Sequence, residues 1–138
     1  MPLVRISLNK RTTAFARAVG DAVHQSMVDT IGIPPGDRFQ IITQHEAGDL
    51  VYDPSFYDIE RTDGFIAVQI TLAAGRTREV KASLYCRITE LLHERLEVRP
   101  QDVFISLLDV APEDFSLGNG KAQFADALPP HLQALKKS

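Results

Sequence analysis

Tryptophan is missing from the 138 residues, and cysteine occurs once, at Cys86. One thiol excludes an internal disulfide framework, and Cys86 falls within a helical pattern where it reads as a packing residue rather than a nucleophile. Long apolar runs are also lacking. No stretch approaches the roughly 18 residues of a membrane-spanning helix, and the start has neither the basic nor the apolar region of a secretory signal. There is no basic run, and a net charge of −3 gives no support for nucleic acid or an anionic membrane as partner. His24, His45, His93 and His131 show no ligand spacing with one another or with Cys86, which argues against a metal site. Gly118 and Gly120 belong to a turn rather than to a strand-to-helix phosphate cradle. What these absences leave is a cytoplasmic enzyme or small binding protein. Its 44% hydrophobic and 24% charged residues are ordinary for a soluble globular chain, and the length suits one domain over residues 1–138.

What is present begins at once. Beyond Pro2, Val4, Ile6 and Leu8 alternate with Leu3, Arg5 and Ser7, the period-two pattern of a strand. Proline suits the first residue of a strand, where no ladder hydrogen bond is lost. Thr12 to Ile31 carries Phe15, Val19, Ala22, Val23, Met27 and Ile31 at helical spacing, with Thr12 or Thr13 to cap it and Gly32, Pro34 and Pro35 to stop it. Arg38 to His45 predicts a second strand and Phe65 to Leu72 a third. Thr77 to Leu96 predicts a second helix, with Val80, Leu84, Ile88, Leu91, Leu92 and Leu96 on one face, and Val103 to Leu108 a fourth strand. The long connection 47–64 fits a functional loop with room for a short hairpin. Pro112 to Phe124 reads as irregular, and Pro129 to Ser138 as a loosely held tail.

The chain repeats itself. Val4, Ile6 and Leu8 align with Val68, Ile70 and Leu72, and Pro35-Gly36-Asp37-Arg38-Phe39 aligns with Pro100-Gln101-Asp102-Val103-Phe104. The units run over about residues 1–46 and 65–109, followed by a C-terminal segment, 110–138. Each is a β-α-β unit with parallel strands and a right-handed crossover. Two such units about a pseudo-twofold predict an α+β fold: a four-stranded mixed sheet with both helices on one face. The other, partly apolar face is left to be buried against further subunits.

This topology gathers several groups at one end of the sheet. Pro2 begins strand one, Asp37 precedes the parallel strand two, and strand three leads through Gly75 to Arg76 and Arg78 at the start of helix two. The segment Ala111 to Leu117 emerges there as well. Free amides, the helix dipole and two guanidinium forks favour a carboxylate or phosphate. If Met1 is removed, as is usual before a small residue, Pro2 becomes a secondary amine. The reference pKa of an α-amino group, about 7.7–8.0, suits it to acid or base chemistry near neutrality. A structural reading stands beside the chemical one, since Asp37 and Asp102 match in the repeat and both can cap the turn before a strand.

These residues resemble the tautomerase superfamily, and within it the malonate semialdehyde decarboxylase branch. The resemblance rests on Met-Pro-Leu at the start, Gly32-Ile33-Pro34-Pro35-Gly36-Asp37-Arg38-Phe39-Gln40, Gln44-His45, Arg61-Thr62-Asp63, Glu79-Val80-Lys81 and Asp114-Phe115-Ser116-Leu117-Gly118-Asn119-Gly120. It implies a homotrimer, no cofactor and catalysis by the amino-terminal proline. Pro2 would be the catalytic amine and Asp37 its acidic partner. Ala74-Gly75-Arg76 stands in place of the branch's Arg-Pro-Arg, so Arg76 keeps the second arginine, Ala74 lacks the first, and Arg78, two residues on at a different backbone position, is the candidate to substitute for it. Phe115 and Leu117 stand where the branch has a Trp and a Phe lining the pocket.

The resulting expectation is an enzyme acting on a small oxo acid, with Pro2, Asp37 and Arg76 catalytic and Arg78, Phe115 and Leu117 binding substrate. Decarboxylation, with hydration at the same site, is expected ahead of keto–enol tautomerisation, because Asp37 favours a protonated Pro2. The alternative of another class is a non-catalytic ligand-binding or signalling trimer.

Overall fold

The computed structural model describes residues 2–136. The expected loss of Met1 concerns a residue outside that range. The chain runs β1 (Leu3–Asn9), α1 (Thr13–Ile31), β2 (Gln40–His45), β3 (Ile66–Ala73), α2 (Arg78–Leu96), β4 (Val103–Val110), α3 (Gln123–Asp126) and α4 (Pro130–Lys136). The sheet order is β2-β1-β3-β4, parallel within each repeat and antiparallel between β1 and β3. Arg5 pairs with Gln69, its own counterpart in the repeat, while Val4 pairs with Ile70 and Ile6 with Val68. The local twofold relating the two halves therefore passes between Arg5 and Gln69.

Alternation builds one face of the sheet. Val4, Ile6 and Leu8 from β1 and Ile66, Val68, Ile70 and Leu72 from β3 are buried, and they share a core with Val19, Val23 and Met27 of α1 and Leu84, Ile88 and Leu92 of α2. Thr12 Oγ1 accepts from Phe15 N at 3.0 Å and Thr77 Oγ1 from Val80 N at 3.2 Å, so each helix begins on a threonine cap. Gly32 ends α1 at φ 67°, a left-handed conformation that glycine adopts without steric cost. Asp29 of α1 and Arg87 of α2 pair at 3.0 Å across the helix layer. Among the described residues, no helix is long and apolar enough to cross a membrane. The opposite face of the sheet keeps Ile41, Phe104 and Leu108 at 41%, 52% and 50% exposure, the uncovered apolar surface expected from the topology.

Three expectations need correction. Cys86 is exposed, not packed. It lies two residues beyond Leu84, roughly 200° around the helix from the buried stripe at about 100° per residue. The loop after β2 forms a 3₁₀ turn at Phe56–Asp58 and no hairpin among the described residues. It is organised by Arg61 Nη1, which donates to the carbonyls of Asp53, Phe56 and Ile59 at 3.2, 3.0 and 3.1 Å. The segment expected to be a loose tail forms α4, with Leu132 only 2% exposed; Lys137 and Ser138 lie outside the described residues.

Candidate active site

Pro2 is buried at the head of β1. Val4 N donates to Phe39 O at 3.0 Å, and the register Val4↔Gln40 continues backward to set the Asp37–Arg38 step opposite Pro2. Asp37 is partly buried on a turn that closes when its N–H donates to Pro34 O at 2.9 Å. That turn is clamped from α1 on both sides. His24 Nε2 donates to Pro35 O at 2.8 Å, and Asp21 holds Arg38 Nη2 at 2.7 Å. Because Arg38 N bonds to Gly36 O in this turn, β2 begins at Gln40 rather than at Arg38 as expected.

Arg76 arrives from the neighbouring strand. The pairing Leu3↔Thr71 carries the end of β3 past Pro2, and Arg76 Nη1 folds back to donate to Ala73 O at 2.8 Å. The guanidinium is half-buried. Burial lowers its pKa and the carboxylate of Asp109 opposes that shift. A guanidinium remains charged under such shifts, so a poorly solvated cation waits beside the start of β1, a setting that strengthens its attraction for a carboxylate. Arg78, by contrast, is exposed at the first position of α2.

Phe115 is partly buried and Leu117 is 40% exposed. Both follow the turn Pro112–Asp114, and the Gly118-Asn119-Gly120 bend beyond them is stapled by Gln123, whose Oε1 accepts from Leu117 N and whose Nε2 donates to Gly118 O, both at 2.9 Å. An apolar cavity of about 350 Å³ lies beside this segment, lined by Ala73, Ala74, Phe124, Leu128, Leu132 and Leu135 among others. Pro2, Asp37, Arg76, Phe115 and Leu117 are not among its lining residues. The strand register thus brings Pro2, the Asp37 turn and Arg76 to one end of the sheet, while Arg78 faces solvent and an apolar wall comes largely from α3, α4 and Leu128 between them. Sequence reasoning missed that wall, although Leu128, Leu132 and Leu135 recur at i, i+4 and i+7, a helical signal hidden behind Pro129 and Pro130.

His131 lies on α4. Its Nε2 is buried with no hydrogen-bond partner among the described residues. Burial lowers its pKa, as do the amino terminus and Arg76, with Asp37 acting in the other direction. Among the described residues, no group of three or more His, Cys, Asp or Glu side chains is placed to hold a metal ion.

At the far end of the sheet, Asp102 has a different setting from its counterpart Asp37. It is 2% exposed, and its two oxygens accept from Thr62 N at 2.7 Å and Thr62 Oγ1 at 2.6 Å.

Two β-α-β units about a local twofold, with a proline heading the first strand and an arginine leaving the third, constitute a tautomerase fold. Residues 37–118 match the family described as tautomerase enzyme, and residues 2–56 match a second family so described. The probable tautomerase YusQ of Bacillus subtilis (strain 168) is 41% identical over 127 residues, covering 91% of this chain and 100% of the relative. The probable tautomerase YrdN of the same organism is 26% identical over 125 residues, covering 90% and 96%. Among solved structures, FG41 malonate semialdehyde decarboxylase inhibited by 3-bromopropiolate superimposes with a TM-score of 0.87 at 36% identity, covering 93% of this chain and 98% of that one. A fused 4-OT, described as a symmetric trimer, gives a TM-score of 0.74 at 25% identity, covering 91% and 98%. The chain belongs to the tautomerase superfamily, in its malonate semialdehyde decarboxylase-like branch.

Proposed function

We propose that the chain is an enzyme of small oxo acids that works through the nitrogen of Pro2, freed by loss of Met1, and that its main reaction is decarboxylation of a 3-oxo acid such as malonate semialdehyde. The observation that carries this reading is the meeting of Pro2, the clamped Asp37 turn and half-buried Arg76 at one end of the sheet. A nearby carboxylate favours the ammonium form of Pro2. In that form Pro2 hydrogen-bonds to the substrate's carbonyl oxygen while Arg76 holds the carboxylate. The bond between the carboxylate and the α-carbon breaks, carbon dioxide leaves, and its electron pair becomes an enolate stabilised at the oxygen by Pro2. Protonation at carbon then gives the aldehyde. With water in place of a decarboxylating group, Asp37 orients the attacking molecule and the same site hydrates an unsaturated acid.

The chain works as a homotrimer in this reading. The exposed Ile41, Phe104 and Leu108 on the open face of the sheet supply apolar surface for association, and the similar fused 4-OT is described as a trimer. Keto–enol tautomerisation by a neutral Pro2 acting as base is the second reading, favoured by the probable tautomerase that is 41% identical.

The test is an NMR titration of the Pro2 nitrogen in protein whose mass confirms loss of Met1, alongside turnover of malonate semialdehyde and of pyruvate enol. A Pro2 that is cationic at neutral pH, drops in pKa in Asp37→Asn, and accompanies carbon dioxide release is the expected result. A neutral amine insensitive to Asp37, with enol turnover only, establishes the tautomerase instead. Turnover of neither substrate, with no covalent labelling of Pro2 by 3-bromopropiolate, identifies a non-catalytic binding protein.

A further inference from the structure

We propose that His131 is a substrate-binding residue of the site formed by Pro2, Asp37 and Arg76, with Nε2–H donating a hydrogen bond to an oxygen of the bound oxo acid. The proposal rests on the oxo-acid reading and adds to it a residue from the C-terminal helix.

The position of α4 brings His131 there. Leu132 is 2% exposed, so the helix is anchored in the protein. Leu135 packs so closely against Gly75 that a Cβ on that glycine would lie 3.1 Å from the Cβ of Leu135. Gly75 has φ 129° and immediately precedes Arg76. His131 lies one turn before Leu135 on the same face of α4, since residues four apart stack along a helix. The face that touches the β3–α2 turn is thus the face that carries the imidazole. The charges of Asp37 and Arg76 both act on the ring, in opposite directions.

The ring has no structural task that the described residues reveal. His24 Nε2 bonds to Pro35 O at 2.8 Å and His93 Nδ1 to Val98 O at 3.2 Å, so each fastens a turn. His24 Nδ1 and His45 Nε2 are also buried with no partner among the described residues, but His24 is already fastened through Nε2, and His45 sits at the other end of β2, paired with Asn9. His131 Nε2 is buried, has no partner among the described residues, and belongs to the helix that packs against the turn leading into Arg76. Buried polar nitrogens almost always have a partner, and a ligand oxygen supplies the one missing here. Carboxylate and carbonyl oxygens only accept, so the proton belongs on Nε2. Burial and the neighbouring cations keep the ring neutral near pH 7, so it contributes a donor without adding a second fixed charge to the site.

The test uses the full chain with ring-¹⁵N-labelled histidines and malonate as the probe, a dicarboxylate with no oxo group to turn over. Saturation is expected to move the His131 ring signals and the Arg76 Nε signal, leaving those of His24, His45 and His93 in place. His131→Phe should weaken malonate binding about tenfold and raise KM for malonate semialdehyde about tenfold, while kcat changes less than about threefold. His131→Gln, which keeps a donor, should recover most of that loss. If Arg76 moves and His131 does not, or if His131→Phe binds malonate as well as wild type, the proposal falls and the oxo-acid site stands. A titration that moves neither signal overturns both. Should His131→Phe fail to fold, the wild-type titration and His131→Gln still decide.

Discussion

Asp37 and Asp102 occupy matching positions in the two halves of the chain, and replacing each should separate what structure needs from what chemistry needs. Asp102→Ala removes an acceptor that takes two hydrogen bonds from Thr62, at 2.7 and 2.6 Å, in a site only 2% exposed. Hydrogen bonds to a charged group contribute about 1.5–3 kcal/mol each, and the orphaned Thr62 amide adds a desolvation cost, so a loss of about 3–5 kcal/mol is expected. For a chain of this length each kcal/mol shifts Tm by roughly 3–5 °C, giving a fall of roughly 10–20 °C. Asp102→Asn should cost about 1–2 kcal/mol, because the amide oxygen still accepts from Thr62 N and the amide nitrogen donates to Thr62 Oγ1. Asp37→Asn changes a partly buried side chain on a turn whose backbone is held by His24 and by Arg38 with Asp21, so its Tm should move by only a few degrees. Its kcat for malonate semialdehyde should nevertheless fall by roughly a hundredfold. Scanning calorimetry and steady-state kinetics at a temperature where every variant is folded give the comparison. If Asp102→Asn loses activity as Asp37→Asn does, or if Asp102→Ala melts within about 3 °C of wild type, the division between the two ends is wrong.

Arg76→Ala should lower kcat/KM about ten- to a hundredfold while Arg78→Ala changes it less than about threefold, since only Arg76 is half-buried beside β1; equal small losses would locate the substrate anion elsewhere. Stability should also depend on pH through His131, whose folded pKa lies below its ordinary 6.5 because of burial, the amino terminus and Arg76, against the opposing charge of Asp37. The unfolded chain then binds the proton more readily. This contribution is therefore complete above pH 6.5, declines as pH falls from there toward the folded pKa, and is flat below it. The difference in Tm between wild type and His131→Phe, followed from pH 8 down to about pH 5, should show that decline, and a difference that grows with acidity would contradict the sign.

The sheet and the two long helices were legible because their patterns are local. Val4, Ile6 and Leu8 recur in Val68, Ile70 and Leu72, and Thr12 and Thr77 stand where caps belong. Parallel pairing within each half then follows from the crossover helices, and that alone brought Pro2, Asp37 and Arg76 to one end. Positions fixed by distant partners were not legible. The bend after Phe115 and Leu117 is held by Gln123, a partner that no local pattern announces. The α4 helix opens on the second proline of a Pro129–Pro130 pair, which breaks local periodicity, and its hold on the protein comes from Leu132 and the approach of Leu135 to Gly75. Cys86 is exposed because it lies off the Leu84, Ile88 and Leu92 stripe of α2, on the side turned to solvent.

The Arg5–Gln69 pairing has one more consequence. A twofold scaffold presents two equivalent ends, yet a linear polymer has a single beginning. The counterpart of Pro2 in the second half is Ile66, whose nitrogen is acylated by Phe65 and cannot be protonated or act as a base. Under the proposed loss of Met1, connectivity breaks a symmetry that the backbone keeps: one end carries an ionisable nitrogen, and the other is sealed by Asp102 holding Thr62. Joining any residue ahead of Pro2 would make the two ends chemically alike while leaving the sheet intact, so an amino-terminal extension should silence the protein without unfolding it.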